Sequence, residues 1–423
     1  MPIINYQFFM VSIARKNLFE DIPRFLVAQA GIMFAVSLVT IQTGILQGFS
    51  RSTTLLINQS NADIWVVSQD FVNLDLTSSL LLKQATDAAD LEGVKIAEPV
   101  VTSPARWRVQ GKELTSVRLY GFLPQGQLFV PGDTETETIQ KLENPYTAII
   151  EQSNLNSLHL NQKEHKPKIS SLPVQVVGTT RNAQSIVSGA FVFTSLQTAQ
   201  TYIKRGFSPS INCQLQNGEL NCQTLYQQED SEQPQTAPSP DPLSSTDPIH
   251  YILIQAEPDT NLETLKQRLQ ENLAGTQAYT SEEIALKVRT YWQQRTGIGF
   301  ILGLGAVVGV IVGVVIVGQI LYSSVSDHLK EFGTLKAMGA SNPMIYGIII
   351  EQALYMAILG YLPGILLCWG LSQWAMATQG ILILINPLTA LSVLGITMSM
   401  CVGSALFAIQ KVTHVDPIIV FKA

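Results

Sequence analysis

Four charged side chains, Asp327, Lys330, Glu331 and Lys336, crowd into a short stretch that also holds Phe332, Gly333, Leu335 and Gly339. Apolar runs flank it on both sides, so the stretch reads as a brief polar helix that leaves the membrane and re-enters it. A helix held in that way can be pushed by another protein. Glu351 is a second candidate, an ionisable residue about two turns inside an apolar run, where a charge is costly unless paired or wet. Two readings of it stand: it couples neighbouring helices, or it reaches headgroup water by snorkelling.

Other reactive residue types point away from catalysis. No G-x-x-x-x-G-K-[ST] loop occurs, and Gly111-Lys112 is followed by Glu113, so the chain has no P-loop to cradle a nucleotide. H-E-x-x-H, G-x-S-x-G and C-x-x-C are also missing. His159 and His165 flank Lys163 and Glu164 in what reads as a solvated loop rather than a metal site. Cys368 and Cys401 fall in apolar runs, where a buried thiol acts as a small apolar residue. Cys213 and Cys222 fall in a polar region, and an oxidising compartment permits a disulfide between them. A loop that short would stabilise the fold by about 2.5 to 3 kcal/mol.

The elements that position these residues follow from the distribution of charge. Charge-free runs separate Arg24 from Arg51 and Arg295 from Asp327, and from Lys336 to Lys411 only Glu351 is charged. A crossing takes about 20 apolar residues, which gives four spans at 25–48, 297–322, 345–371 and 388–409. Between them lie an interfacial helix over 1–24, an exported region over 49–296, a polar helix over 323–344, a short exported loop over 372–387 and a tail over 410–423. Arg15, Lys16, Arg24, Lys330, Lys336, Lys411 and Lys422 all border one side, so the positive-inside rule puts both termini in the cytoplasm and the 49–296 region outside. The chain thus reads as a multi-pass inner-membrane protein. The segment 51–295 holds 26 of the 32 acidic residues against 19 of the 26 basic ones, so nucleic acid is not a partner.

Within the exported region, strands are expected at 61–67, around Val109, and at 116–122, 173–178, 189–194 and 250–255, with helices at 76–90, 195–204 and 259–273. Such mixing predicts an α+β domain inserted between the first and second membrane helices of an α-helical membrane protein. Residues 206–249, with six prolines and many glutamines, read as a loop insertion. Thr280 and Glu283 form a capping box, and from there one helix of some 40 residues is expected to run into the second span without a breaker. Paired with the polar continuation of the first span, Gln47 to Gln59, it would make a stalk. In the second span, Gly305, Gly309 and Gly313 recur at fourfold spacing, which lets helices pack closely within the subunit or across a dimer.

Glu331-x-Gly333-x-Leu335-Lys336-Ala337-x-Gly339-Ala340, the later Ile348-Ile-Ile-Glu351 and Gly360 to Gly364, and the closing His414-Val-Asp416-Pro417 resemble the signature of FtsX/MacB-type ABC transporter permeases. The opening Ala14-Arg15-Lys16-Asn17-Leu18 is most similar to cyanobacterial DevC-type permeases of heterocyst glycolipid exporters. The resemblance implies a non-catalytic permease that forms a homodimer in the lipid bilayer. It implies no cofactor on this chain, with ATP and Mg held by a cytoplasmic ABC ATPase subunit. It also implies a periplasmic membrane-fusion adaptor, an outer-membrane TolC-like channel, and relay of ATP-driven motion through the stalk. By position it assigns the ATPase contact to Lys330, Glu331, Phe332, Leu335 and Lys336, within the segment Asp327 to Ala340. An FtsX-like scaffold that activates a cell-wall hydrolase and a lipoprotein-releasing permease share the topology and stand as alternatives.

Overall fold

The computed structural model describes residues 21–160, 166–184, 189–206, 210–216, 219–225, 238–379 and 382–413. The chain divides into two compact units, Met1–Phe49 with Thr296–Ala423, and Ser50–Arg295. The interfacial helix expected before residue 21 and the His414-to-Pro417 element lie outside the described residues.

Helix α1 (Ile22–Gln59) contributes to both units. After it come β1 (Ile64–Ser68), β2 (Leu80–Leu81), α2 (Leu82–Ala89), β3 (Val94–Arg108), β4 (Thr115–Phe122), α3 (Thr136–Gln140) and β5 (Thr147–Glu151). The chain continues through β6 (Lys168–Ile169), β7 (Leu172–Pro173), β8 (Gln175–Thr180), β9 (Ala190–Ser195), α4 (Leu196–Gly206), β10 (Ser210–Gln216) and β11 (Glu219–Leu225). Then follow β12 (Pro248–Ile249), β13 (Tyr251–Ala256), α5 (Leu262–Asn272), β14 (Thr276–Thr280) and α6 (Ser281–Thr296).

The main sheet runs β14-β1-β13-β3-β4-β9-β5-β8, parallel only between β4 and β9 and between β5 and β8. Alternate residues of a strand point to opposite faces, and here both faces are covered. Ile64 and Val66 join Ala85, Ala88, Leu196, Leu265 and Leu269 from the helices on one face. Trp65 and Val67 join Leu56 and Ile57 of α1 and Ile284, Ala285 and Val288 of α6 on the other. This double burial is why Ile-Trp-Val-Val reads as a continuous apolar run instead of alternating. Glu98, buried on β3, accepts from the backbone N–H groups of Gln127 (2.7 Å) and Leu128 (3.0 Å), and so fixes the loop that sends Leu128 and Phe129 into the core.

Several local expectations shift. The helix expected from residue 76 starts only at Leu82, and β3 extends from Val94 to Arg108 and stops just short of Val109. The insertion is not simply a loop. It carries an antiparallel hairpin, β10 with β11, in which Cys213 stands directly opposite Cys222. Its far end is tied down: Asp247, buried, forms an ion pair with Lys204 at 2.7 Å, and Gln197 donates to the carbonyl of Asp241 at 3.1 Å.

The capping box that opens α6 is present in both directions. Glu283 Oε2 accepts from Thr280 N–H at 2.8 Å, and Thr280 Oγ1 accepts from Glu283 N–H at 3.3 Å. Lys266 of α5 reaches Glu263 (3.0 Å) and Glu283 (2.8 Å). Burial pulls its ammonium down, but these two carboxylates outweigh burial and hold its pKa above the ordinary value. The single 40-residue helix does not form, however. Gly297 takes a left-handed backbone (φ 62°), ends α6 and caps a separate helix, α7 (Ile298–Asp327). Only glycine adopts that conformation without a steric penalty, so the breaker is the Thr296-Gly297 pair.

The other unit holds α7, α8 (Leu329–Ala337), α9 (Asn342–Gln379) and α10 (Pro387–Thr413) around the first part of α1. Helices α1, α7, α9 and α10 are long and apolar enough to cross a membrane. Small residues let them approach closely. A Cβ at Gly305 would lie 2.1 Å from the Gln42 amide, one at Gly309 2.8 Å from Leu38, and one at Gly313 2.9 Å from Ala35 and 2.3 Å from Met400. On α9, Gly360 faces Ile32 and Gly364 faces Val36 in the same way. Gly299 and Gly303 face open space.

The turn after α9 lies on a second glycine pair. Leu384 N–H donates to Gly44 C=O at 3.1 Å, and a Cβ at Gly48 would come within 1.9 Å of the Leu382 carbonyl oxygen. Gly48→Val should therefore cost about 1 to 3 kcal/mol, the range for overpacking, whereas Gly303→Val should cost little. Thermal unfolding of the two variants in the same detergent checks this, and equal melting temperatures would refute it.

Candidate functional site

Helix α8 is nine residues long, too short to be stable alone in water. Two devices hold it. Phe332 is 2% exposed and belongs to the cluster formed with Val325, Ile345, Ile348 and Ile349, and Leu335 packs partly buried against the same cluster. The other device is its C-terminal stop. Ala340 N–H bonds to Leu335 C=O (2.9 Å) and Gly339 N–H to Lys336 C=O (3.0 Å), with Gly339 at φ 94°. That is a Schellman motif, for which glycine is the favoured residue. The spacing of Leu335, Gly339 and Ala340 in the sequence thus encodes where the helix ends.

The expected contact residues separate accordingly. Phe332 and Gly333 turn inward and are buried, so in this structure neither presents a surface to another subunit. Lys330 and Glu331 face outward, Lys336 is half-buried, and Gly339 shapes the stop. Glu331 Oε1 lies 3.1 Å from His328 Nδ1. Glu331 in the first turn and Lys336 in the last each match the sign that the helix dipole favours there. The outward surface also includes Thr334, Ala337 and Met338, the last 72% exposed. Sequence reasoning passed over these three, although Lys330, Thr334 and Met338 at fourfold spacing form one helical stripe.

Asp327, the last residue of α7, pairs with Arg24 in the first turn of α1, a partner that no local pattern signals. Glu351 is half-buried on α9. Gly360 meets Ile32 and Gly364 meets Val36, so the same offset sets Glu351 level with the first turn of α1. Gly305, Gly309 and Gly313 lie against α1 and, at Gly313, also against α10. The backbone register opposes Cys213 and Cys222. His159 is half-buried and His165 lies outside the described residues. Among the described residues no group of His, Cys, Asp and Glu could hold a metal ion. Helix α8 thus sets Lys330, Thr334 and Met338 outward while its inner face is anchored in a helical bundle.

Comparison with known proteins bears on both units. The FtsX-like permease C-terminal family matches residues 303–417, and the MacB-like periplasmic core domain family matches residues 25–272. No curated protein matches the chain. Among solved structures, the periplasmic region of MacB from Actinobacillus actinomycetemcomitans is 12% identical with a TM-score of 0.34, and the match covers 55% of this chain and 95% of that one. The extracellular domain of the noncanonic ABC-type transporter YknZ from Gram-positive bacteria is 11% identical with a TM-score of 0.32, and the match covers 51% and 98% respectively. With one family spanning more than half of its length and the other most of the remainder, the chain belongs to the MacB/FtsX-like family of ABC transporter permeases.

Proposed function

We propose that this chain is the separate permease subunit of an ABC exporter, and that it transmits ATP-driven motion of a cytoplasmic ATPase subunit to the domain built from Ser50–Arg295. The observation that carries the reading is α8, with a polar stripe facing out and Phe332 anchored within its own bundle. In this reading Lys330, Glu331, Thr334 and Met338 meet the ATPase, while Phe332, Gly333 and Leu335 hold the helix and Gly339 ends it. Two copies pair in the inner membrane with both termini in the cytoplasm, as the Lys and Arg distribution favours. The exported domains work with a membrane-fusion adaptor and a TolC-like channel, and ATP and Mg reside in the partner. The resemblance of Ala14 to Leu18 to DevC-type permeases makes a glycolipid the first substrate to test.

Replacing the stripe tests this. Lys330→Glu and Met338→Asp are each expected to weaken co-purification of the ATPase and its stimulated hydrolysis about tenfold, the effect of losing a contact worth roughly 1 to 2 kcal/mol. Neither should lower the melting temperature, because both positions are exposed. Unchanged hydrolysis in both variants would count decisively against the reading. Capture of a periplasmic adaptor with a long hairpin supports an exporter, and capture of a cell-wall hydrolase instead supports the scaffold alternative.

The exported domain also carries the proposed disulfide. Directly opposed residues of an antiparallel pair have Cα atoms about 4.5 to 5.5 Å apart, within the range a disulfide spans. A two-stranded ribbon alone is marginal in water, so a covalent bond between Cys213 and Cys222 would hold it. Reduction is expected to cost the hairpin about 2.5 to 3 kcal/mol. Mass spectrometry of unreduced peptides from protein made in an oxidising compartment decides the matter, and two free thiols there would reject the bond.

A further inference from the structure

We infer that Arg24 and Asp327 form a latch that passes displacement of α8 into α1, and that α1, rather than α7 with α6, is the helix that carries it onward. This rests on the permease reading above and deepens it by naming positioning residues for the coupling.

Three observations support the latch. Only His328 separates Asp327 from the start of α8, so a shift of α8 is felt first at Asp327. Arg24 is held in place from its own side: its Nε lies 2.9 Å from Asp21 Oδ2, its backbone N–H donates to Asp21 Oδ1 at 3.2 Å, and its Nη1 pairs with Asp327 Oδ2. Both charges also sit at the wrong end of their own helices. Arg24, a cation, stands in the first turn of α1, and Asp327, an anion, is the last residue of α7. Each is disfavoured there by its own helix dipole. Together they cancel, so Asp327 offsets the unfavourable placement of Arg24 alongside Asp21, and Arg24 offsets that of Asp327. An exposed ion pair contributes little to stability, which fits a contact kept for position.

The onward route follows from continuity. Helix α1 is unbroken from Ile22 to Gln59, and its last turns place Leu56 and Ile57 in the core of the sheet. Helices α6 and α7 are separate, divided at Gly297 in the left-handed conformation. Axial or torsional motion passes along a continuous hydrogen-bonded helix, whereas a glycine junction absorbs it through its own backbone dihedrals.

The test uses the full-length chain with its co-purified ABC ATPase subunit in lipid nanodiscs. Hydrogen exchange at the amides of residues 50–59 is compared between ADP and ATP with vanadate, for wild type, Arg24→Asp, Asp327→Arg and the double exchange. Wild type should show a nucleotide-dependent change. Each single reversal should lose about fivefold or more of it, the lower end of typical coupling between sites, while ATP hydrolysis persists. The double exchange should restore it, an outcome that a merely structural role would not produce. If the single reversals keep the change, or the double variant is no better than either, the latch is refuted while the permease reading stands. If wild type binds no ATPase or shows no nucleotide-dependent change, the permease reading falls, and the latch as a coupling device falls with it. Should a reversal fail to fold, Arg24→Gln and Asp327→Asn take its place, and their effects must be non-additive in combination for the latch to survive.

Discussion

Phe332→Ala should detach α8 from its bundle. A fully buried aromatic replaced by alanine costs about 3 to 5 kcal/mol, and Phe332 is among the largest side chains buried to this degree. A helix this short has no independent stability to fall back on, so the loss concentrates on the segment itself. Amide exchange across Leu329–Ala337 is expected to accelerate on the order of a hundredfold, since local opening reports local free energy. Hydrolysis by a bound ATPase should then continue without transmitting motion. Phe332→Leu should recover part of the protection, because a large apolar group still fills most of the site. Exchange in α8 that is unchanged by Phe332→Ala would show that Leu335 and the Schellman stop suffice.

Acidification should weaken the Ser50–Arg295 unit through His250. Burial, and then the nearby Arg118 guanidinium, lower its pKa to about 4. Its Nδ1 accepts a hydrogen bond from Thr102 N–H at 3.3 Å, which requires that nitrogen to be unprotonated. Arg118 itself is paired with Asp75 at 2.9 Å, so it leaves no carboxylate to welcome a second cation. The folded pKa lies below the unfolded value of about 6.5, so the unfolded chain binds the proton first. The stabilisation is complete above pH 6.5 and is lost as pH falls toward 4. The loss is on the order of 2 to 3 kcal/mol across that window. Melting temperatures of wild type and His250→Gln between pH 7.5 and 4.5 check this, the wild type falling more steeply. Parallel curves would show that carboxylates alone set the acid response.

Much of this was legible locally. The membrane helices stand out because charge is excluded over whole runs, and the Thr280-Glu283 box because its two bonds span three residues. The α8 segment was legible as a polar interruption but not in its division, since a nine-residue helix offers barely two turns from which to read an inner face. The break at Gly297 was hidden because glycine is tolerated inside a membrane helix, and only its backbone angle separates a packing residue from a stop. β3 is legible only at its end, where Ala105 to Arg108 alternate buried with exposed, because its middle, Glu98 to Thr102, is buried on both faces and shows no alternation. Gly44, Gly48, Gly360 and Gly364 also recur at fourfold spacing, but what each one accommodates comes from a helix far away in sequence. Arg24 with Asp327 is the extreme case, joined across 303 positions.

The glycine contacts between α1 and α7 restrict how these helices can move. Gly305 meets Gln42, Gly309 meets Leu38 and Gly313 meets Ala35, so each small residue on one antiparallel helix receives a larger one on the other. Sliding by one residue would drive side chains into backbone, and the next matching position lies four residues away, about 6 Å at 1.5 Å per residue. The pair is therefore toothed like a rack, and small strokes along its length are closed to it. Turning or tilting of one helix against the other is the relative movement that this packing leaves open.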